Sequence, residues 1–218
     1  MLMQDEREAI VEYSIKLIEH GLTKGTGGNI SLFNREEKIM AISPSGLDYY
    51  KTKPEDVVVL DLEGNVVEGN KKPSSEYNLH KIFYEKRDDC NSVVHCHSMF
   101  SGVLACLHWN IPASHYMIAL AGKNVRCAKY ATFGTQELAE NAFEAMKDRK
   151  AVLLANHGLL AVSIDLPNAF NTAEEVEFCA EMYYRAKCVG EPLILSDEEM
   201  ALMADKFSNY GQVKPNNY

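Results

Sequence analysis

"SVVHCHS", residues 92–98, is the stretch on which the reading of this chain turns. It reads as a buried strand, yet it carries two of the chain's seven histidines one residue apart. Side chains alternate across a strand, so His95 and His97 share one face while Cys96 points to the other. Two readings stand open. The imidazoles are polar strand residues, or they are convergent neutral nitrogens that grip a metal. A third ligand and a catalytic group would decide for the second.

Outward from that strand the elements are mixed. "DEREAIVEYSIKLIEHG" predicts an amphipathic helix, with Ile10, Tyr13, Leu17 and Ile18 at helical spacing and Gly21 as its stop. A Gly-rich loop follows, then short strands around "NISLF", "KIMAIS" and "DVVVLDL", the last closed by a turn at "EGN". "SSEYNLHKIFYEKR" reads as a helix with Ser74 as its N-cap. After the histidine strand come a helix near "FSGVLACLHW", a strand at "VRCAKY", a helix from "TQELAENAFEAMKDR" and the strand "AVLLAN". Helices at "LPNAFNTAEEVEFCAEMYYRAKC" and "SDEEMALMADKF" finish the chain. With no repeat, linker or low-complexity segment, this is one α/β domain with helices covering a sheet.

Composition narrows the function classes. The 218 residues are 46% hydrophobic and 24% charged, as in ordinary soluble domains. A net charge of −9 speaks against nucleic acid and acidic membrane surfaces as partners. It leaves room for a small phosphorylated metabolite held by local N–H groups. No signal peptide is apparent, and no apolar stretch approaches the ~20 residues that span a bilayer. Six cysteines without CxxC or framework spacing suit reduced thiols, and hence a cytoplasmic protein.

A third candidate ligand is His157 in "LLANHGLLAV", where a hydrophobic strand ends and the chain is expected to leave the core. Three imidazoles plus one exchangeable position describe a catalytic zinc site; a turn histidine bonded to backbone is the alternative. Glu76 falls in the expected first turn of its helix, where a carboxylate either serves the dipole as a cap or acts as general base or exchangeable fourth ligand. His80, four residues on and on the same helical face, could grip a metal together with Glu76, but reads first as a packing or supporting residue, because Leu79 and Phe83 place that face near the core. His20, His108 and His115 carry no expected role. The segments "GTGGN" (25–29), "SPSG" (43–46) and "PSSE" (73–76) are each a turn by composition, and together form a workable phosphate cradle of N–H and O–H donors. None matches a P-loop or the dinucleotide fingerprint.

"GTGGN", "SPSG", "KPSSE", "HCH", "HYMIA", "YATFGT" and "NHG", in this order, span most of the chain. The set resembles the class II aldolase family of L-fuculose-1-phosphate aldolase and L-ribulose-5-phosphate 4-epimerase, nearest to the fuculose-phosphate branch. The resemblance implies a three-layer α/β fold over residues 1–218 as one domain, its mixed, largely antiparallel sheet covered by helices. It implies one Zn2+ per subunit on His95, His97 and His157, with Glu76 as catalytic acid/base that also ligates the metal when substrate is absent. Phosphate contacts would come from Gly28, Asn29, Ser45, Gly46, Ser74 and Ser75. A C4 homotetramer would place active sites at subunit interfaces, with Tyr116 and Tyr210 from the neighbouring chain and Phe133 lining the aldehyde side.

The implied reaction is cleavage of L-fuculose 1-phosphate to dihydroxyacetone phosphate and L-lactaldehyde through a zinc-stabilised enediolate, without a lysine Schiff base. Its rivals on the same scaffold are a phosphopentose 4-epimerase and a methylthioribulose-phosphate dehydratase. Against a non-catalytic scaffold stands the presence of all three histidines and Glu76. Gly27 in the first loop, Ser45, Asn156 and the tail "GQVKPNNY" depart from the branch's commonest wording.

Overall fold

The expected strand forms over Ser92–Cys96 and lies inside a single eight-stranded sheet. The computed structural model describes residues 1–210, so the tail "GQVKPNNY" lies outside the described residues. In chain order the strands are β1 (Asn29–Asn34), β2 (Ile39–Ile42), β3 (Val58–Asp61), β4 (Val66–Glu68), β5 (Ser92–Cys96), β6 (Arg126–Ala128), β7 (Ala151–Leu154) and β8 (Gly158–Ser163). They are arranged β4-β3-β2-β1-β5-β8-β7-β6. Only the β6–β7 pair is parallel among the described residues, so the sheet is mixed and largely antiparallel.

Helices cover both faces. On one side Ile30, Val59, Val94, Cys96, Leu159 and Ala161 form a core with α1 (Gln4–Glu19), α3 (Met99–Cys106), α5 (Leu166–Val189) and α6 (Asp197–Ser208). On the other, Met40, Val58, Val93, Leu160 and Val162 meet α2 (Tyr77–Lys86) and α4 (Gln136–Ala145). Strands buried on both faces need no polar residue at every second position. This is why "AVLL" and "GLLAVS" read as continuous apolar runs. Among the described residues no helix is long and apolar enough to cross a membrane.

One expectation needs correction, and two strands were not expected. Ser74 does not cap α2: the helix starts at Tyr77 with Glu76 at the N-cap position, and no side chain caps it. After the "EGN" turn the chain adds the short edge strand β4, which three residues of half-exposed sequence do not announce. At His157 the chain leaves the core, as expected, but only for a tight turn. Asn156 adopts a left-handed φ of 53°, and the chain re-enters the sheet as β8, antiparallel to both β7 and β5.

That return brings His157 to the end of β5, and it depends on close backbone approach. A Cβ built on Gly158 would lie 2.4 Å from the Cys96 carbonyl oxygen, and one on Gly28 would lie 2.6 Å from that of His95. Both glycines let the strands and loops flanking β5 press against the histidine segment. Gly158→Ala should therefore force β5 and β8 apart and cost about 1–3 kcal/mol, the usual scale of overpacking. Urea unfolding checks this; an unchanged midpoint would show that the approach is not tight.

Candidate active site

The start of β1 and the β7–β8 turn both lie beside the end of β5. His95 is the penultimate residue of β5, cross-strand from Asn29 on β1 and Leu160 on β8. Its side chain is on the α2 side of the sheet with Val93, whereas Cys96 is in the opposite core, as alternation required. His97 lies just past the strand and His157 in the β7–β8 turn. Their ring centroids are 4.8 Å (His95–His97), 4.8 Å (His95–His157) and 5.1 Å (His97–His157) apart. One ring nitrogen from each lies within 4.8 Å of the others, so the three could hold one metal ion.

The ring of His95 is oriented by the sheet itself. Its Nδ1–H donates to the Leu159 carbonyl at 2.9 Å, which turns Nε2 toward the cluster. His157 is fixed through its neighbours: Asn156 N–H donates to the Ala105 carbonyl at 3.1 Å, and the Asn156 side chain meets His108 Nε2 at 2.7 Å. His108 thus has a supporting contact that its sequence context did not suggest. Past His97, Glu177 of α5 accepts from Ser98 Oγ at 2.7 Å and from the amides of Phe100 and Ser101, anchoring the start of α3. Sequence reading missed Glu177, which looks like any other charge in a long amphipathic helix.

Glu76 completes the cluster. It is only 6% exposed, with Oε2 3.3 Å from His95 Nε2 and Oε1 3.5 Å from His157 Nε2. Burial alone would raise its carboxyl, but the charge and hydrogen bonding of His95, the nearby His157 and the Asn29 amide outweigh it and hold it well below the usual carboxylate range. His157 is pushed down to about 4 by burial and by the charge of His95, so its imidazole is neutral near pH 7 and available as a ligand. A buried anion would ordinarily have both oxygens satisfied, yet Glu76 Oε1 has no hydrogen-bond partner. An orphaned carboxylate oxygen beside three convergent imidazoles fits a cation, and the capping reading of Glu76 falls away.

The three Gly/Ser/Asn segments do come together. Ser45 N–H donates to the Lys72 carbonyl at 2.9 Å and Ser74 N–H to the Ser43 carbonyl at 3.1 Å, while Ser43 N–H reaches the Ile30 carbonyl at 3.0 Å. Tyr49 OH ties down the first loop through the carbonyls of Gly27 and Gly28. Ser45, Gly46 and Ser75 are exposed, whereas Ser74 is buried with its Oγ accepting from Glu76 N–H at 3.3 Å. The Asn29 side chain is also buried, and turns to Glu76 and His80. Phe133 is exposed on the loop whose Gly134 abuts Ser75. Tyr116 stacks on Phe207, and Phe207 meets Tyr210 edge-on. Tyr116 also packs beside His115, ring centroids 4.8 Å apart, but among the described residues no hydrogen bond or ring contact joins either tyrosine to His95, His97 or His157.

Fold and cluster together define an α/β domain in which three imidazoles and a buried carboxylate, able to hold a metal ion, lie beside loops rich in Gly and Ser. Residues 8–184 match the family described as Class II Aldolase and Adducin N-terminal domain, and the chain belongs to the class II aldolases, a metal-dependent family. It is 59% identical over 212 residues to the 5-deoxy-D-ribulose 1-phosphate aldolase of Bacillus thuringiensis serovar kurstaki, covering 97% of this chain and 100% of that one. It is 43% identical to the L-fuculose phosphate aldolase of Escherichia coli K12, covering 93% and 94%. A solved structure of an L-fuculose 1-phosphate aldolase superposes with a TM-score of 0.93 at 56% identity, covering 95% and 98%.

The geometry predicts a split between variants. His95→Ala or His157→Ala should lose bound metal on dialysis, because two imidazoles rarely hold an ion as tightly as three. Glu76→Gln should keep it on the histidines. Elemental analysis of the dialysed proteins checks this; full metal content without His157 would contradict the ligand set.

Proposed function

We propose that the protein is a zinc-dependent lyase that cleaves a deoxyketose 1-phosphate between C3 and C4. On this reading 5-deoxyribulose 1-phosphate, giving dihydroxyacetone phosphate and acetaldehyde, is the preferred substrate, and L-fuculose 1-phosphate, giving L-lactaldehyde, is a second. The observation that carries the reaction type is the buried Glu76 carboxylate, with one oxygen unpartnered among three imidazoles. The choice of sugar leans on the relatives named above, whose substrates share the phosphorylated half and differ in the aldehyde half. L-Fuculose 1-phosphate, foremost on sequence grounds, thereby moves to second place.

His95, His97 and His157 would hold the zinc, whose donor set of nitrogens and one carboxylate lacks sulfur, since Cys96 is on the other face. When bound, the ion supplies Lewis acidity toward the negative charge that develops on the substrate oxygens during cleavage. The other work falls to the chain. Backbone and hydroxyl donors of Gly28, Ser45, Gly46, Ser74 and Ser75, with Asn29 beside them, receive the phosphate at the rim. As the C3–C4 bond breaks, its electron pair stays with the three-carbon fragment and the C4 hydroxyl proton is released at the aldehyde side of the site. One proton taken up by the Glu76 carboxylate from solvent balances it and is passed to C3, which yields dihydroxyacetone phosphate and leaves Glu76 ionised again; in condensation Glu76 removes that C3 proton.

We assign the proton at the C4 oxygen to Tyr116 of a neighbouring subunit in a homotetramer, with Tyr210 beside it and Phe133 on the aldehyde side. In support, Tyr116 is 46% exposed and Tyr210 85% exposed, and neither bonds to its own subunit's cluster.

Zinc-loaded protein given 5-deoxyribulose 1-phosphate should release dihydroxyacetone phosphate with a higher kcat/KM than from L-fuculose 1-phosphate. L-Ribulose 5-phosphate should not be epimerised; epimer formation without triose release would overturn the assignment. Glu76→Gln should slow turnover by roughly 10²–10⁴-fold, the scale of general acid–base catalysis. For the shared site, Glu76→Gln subunits exchanged with Tyr116→Phe subunits should regain activity, since some sites then pair an intact Glu76 with a neighbour's intact Tyr116. Exchange verified by mass spectrometry with no gain over either parent would place Tyr116 in its own subunit's site.

A further inference from the structure

Behind Glu76 lies a row of buried polar side chains that the reaction as described does not use. Asn29, Ser31 and Phe33 follow one another on the α2 side of β1, while Glu76, His80 and Tyr84 follow one another along the start and body of α2. Two residues of strand advance about 6.7 Å and four residues of helix about 6 Å, so the rows stay in step. Asn29 meets Glu76 and His80, Ser31 meets His80 and Tyr84, and Phe33 stacks on Tyr84 with centroids 4.8 Å apart. His80, Ser31 and Tyr84 are buried, and Asn29 is 5% exposed.

Only one order of protons satisfies every contact. An ionised carboxylate can only accept, so the Asn29 amide must present Nδ2 to Glu76 Oε2, 3.0 Å away. Asn29 Oδ1 then faces His80 Nε2, which must carry the hydrogen. His80 is neutral: burial first, and the charge of His95 second, push it down to about 3. Its Nδ1 is therefore bare and accepts from the Ser31 hydroxyl at 2.6 Å. Serine has one hydroxyl hydrogen, so Tyr84 OH donates to Ser31.

The geometry points to His80 as a positioning residue for Glu76. Through its Nε2–H it fixes the Asn29 amide, which pins Oε2 of Glu76 and leaves the unpartnered Oε1 as the oxygen that exchanges the substrate proton. His80 touches neither substrate nor metal and acts only through Asn29. Without it the amide is free to turn its carbonyl toward the carboxylate, and the base loses its fixed orientation. This role rests on Glu76 being the base; the proton order does not.

Two measurements test it. Neutron diffraction from crystals of the zinc-loaded protein should show deuterium on His80 Nε2 and none on Nδ1, with the Asn29 ND2 group facing Glu76. Deuterium on Nδ1, or a reversed Asn29 amide, overturns the inference whatever the reaction proves to be. His80→Leu should lower kcat about 10–100-fold, the usual effect of removing an outer hydrogen-bond partner of a metal site, with KM and zinc content near wild type. His80→Gln, which can still donate to Asn29, should restore much of kcat. If His80→Leu folds and loses only thermal stability, at unchanged kcat per folded subunit, His80 is a packing residue and the inference fails. Should Glu76→Gln retain full activity, the base reading fails instead, and His80 loses its positioning role with it.

Discussion

The buried negative charge of Glu76 is the constraint on which the rest of the site depends. A carboxylate 6% exposed is tolerated only where opposite charge and hydrogen bonds replace water. Here His95 supplies charge, Asn29 supplies a hydrogen bond, and the His157 ring nitrogen lies 3.5 Å away. Each compensating group imposes a further requirement. Asn29 must turn its NH2 inward, which fixes His80, which in turn fixes Ser31 and Tyr84. One charge at the sheet's end thus determines the polar content of the whole interface between β1 and α2.

The sheet makes that arrangement rigid. β5 lies between β1 and β8, each antiparallel to it, so Asn29 and Leu160 flank His95 at fixed register. His95 is held by a backbone carbonyl of β8, His157 by the turn that begins β8, and His97 by the Glu177-anchored start of α3. The three histidines come from one strand end and one adjacent hairpin. Glu76 enters instead from a loop whose Ser74 is hydrogen-bonded to the segment at 43–46. The histidine cluster and the Gly/Ser segments therefore share one piece of backbone.

Much of this was legible in the sequence, for identifiable reasons. The opposition of His95 and Cys96 follows from strand alternation alone, and the segments at 25–29, 43–46 and 73–76 are marked by turn chemistry. What was not legible depends on register between distant segments. Nothing local to Glu76 distinguishes a helix cap from a carboxylate turned into the sheet; Asn29 and His95 decide it. The return of the chain as β8 was hidden because it hinges on a left-handed Asn156. His80 was rightly placed near the core, but its partners Ser31 and Tyr84 emerge only when β1 and α2 are laid side by side.

The central claim is that three imidazoles and the Glu76 carboxylate form one metal centre, with sulfur excluded by the alternation of β5. X-ray absorption spectroscopy of the zinc-loaded, substrate-free protein tests it directly. The account predicts a first shell of nitrogen and oxygen only, at about 2.0–2.2 Å, with outer-shell scattering from three imidazoles and loss of an oxygen scatterer in Glu76→Gln. A sulfur scatterer near 2.3 Å, the usual zinc–thiolate distance, or scattering from fewer than three imidazoles, would contradict it.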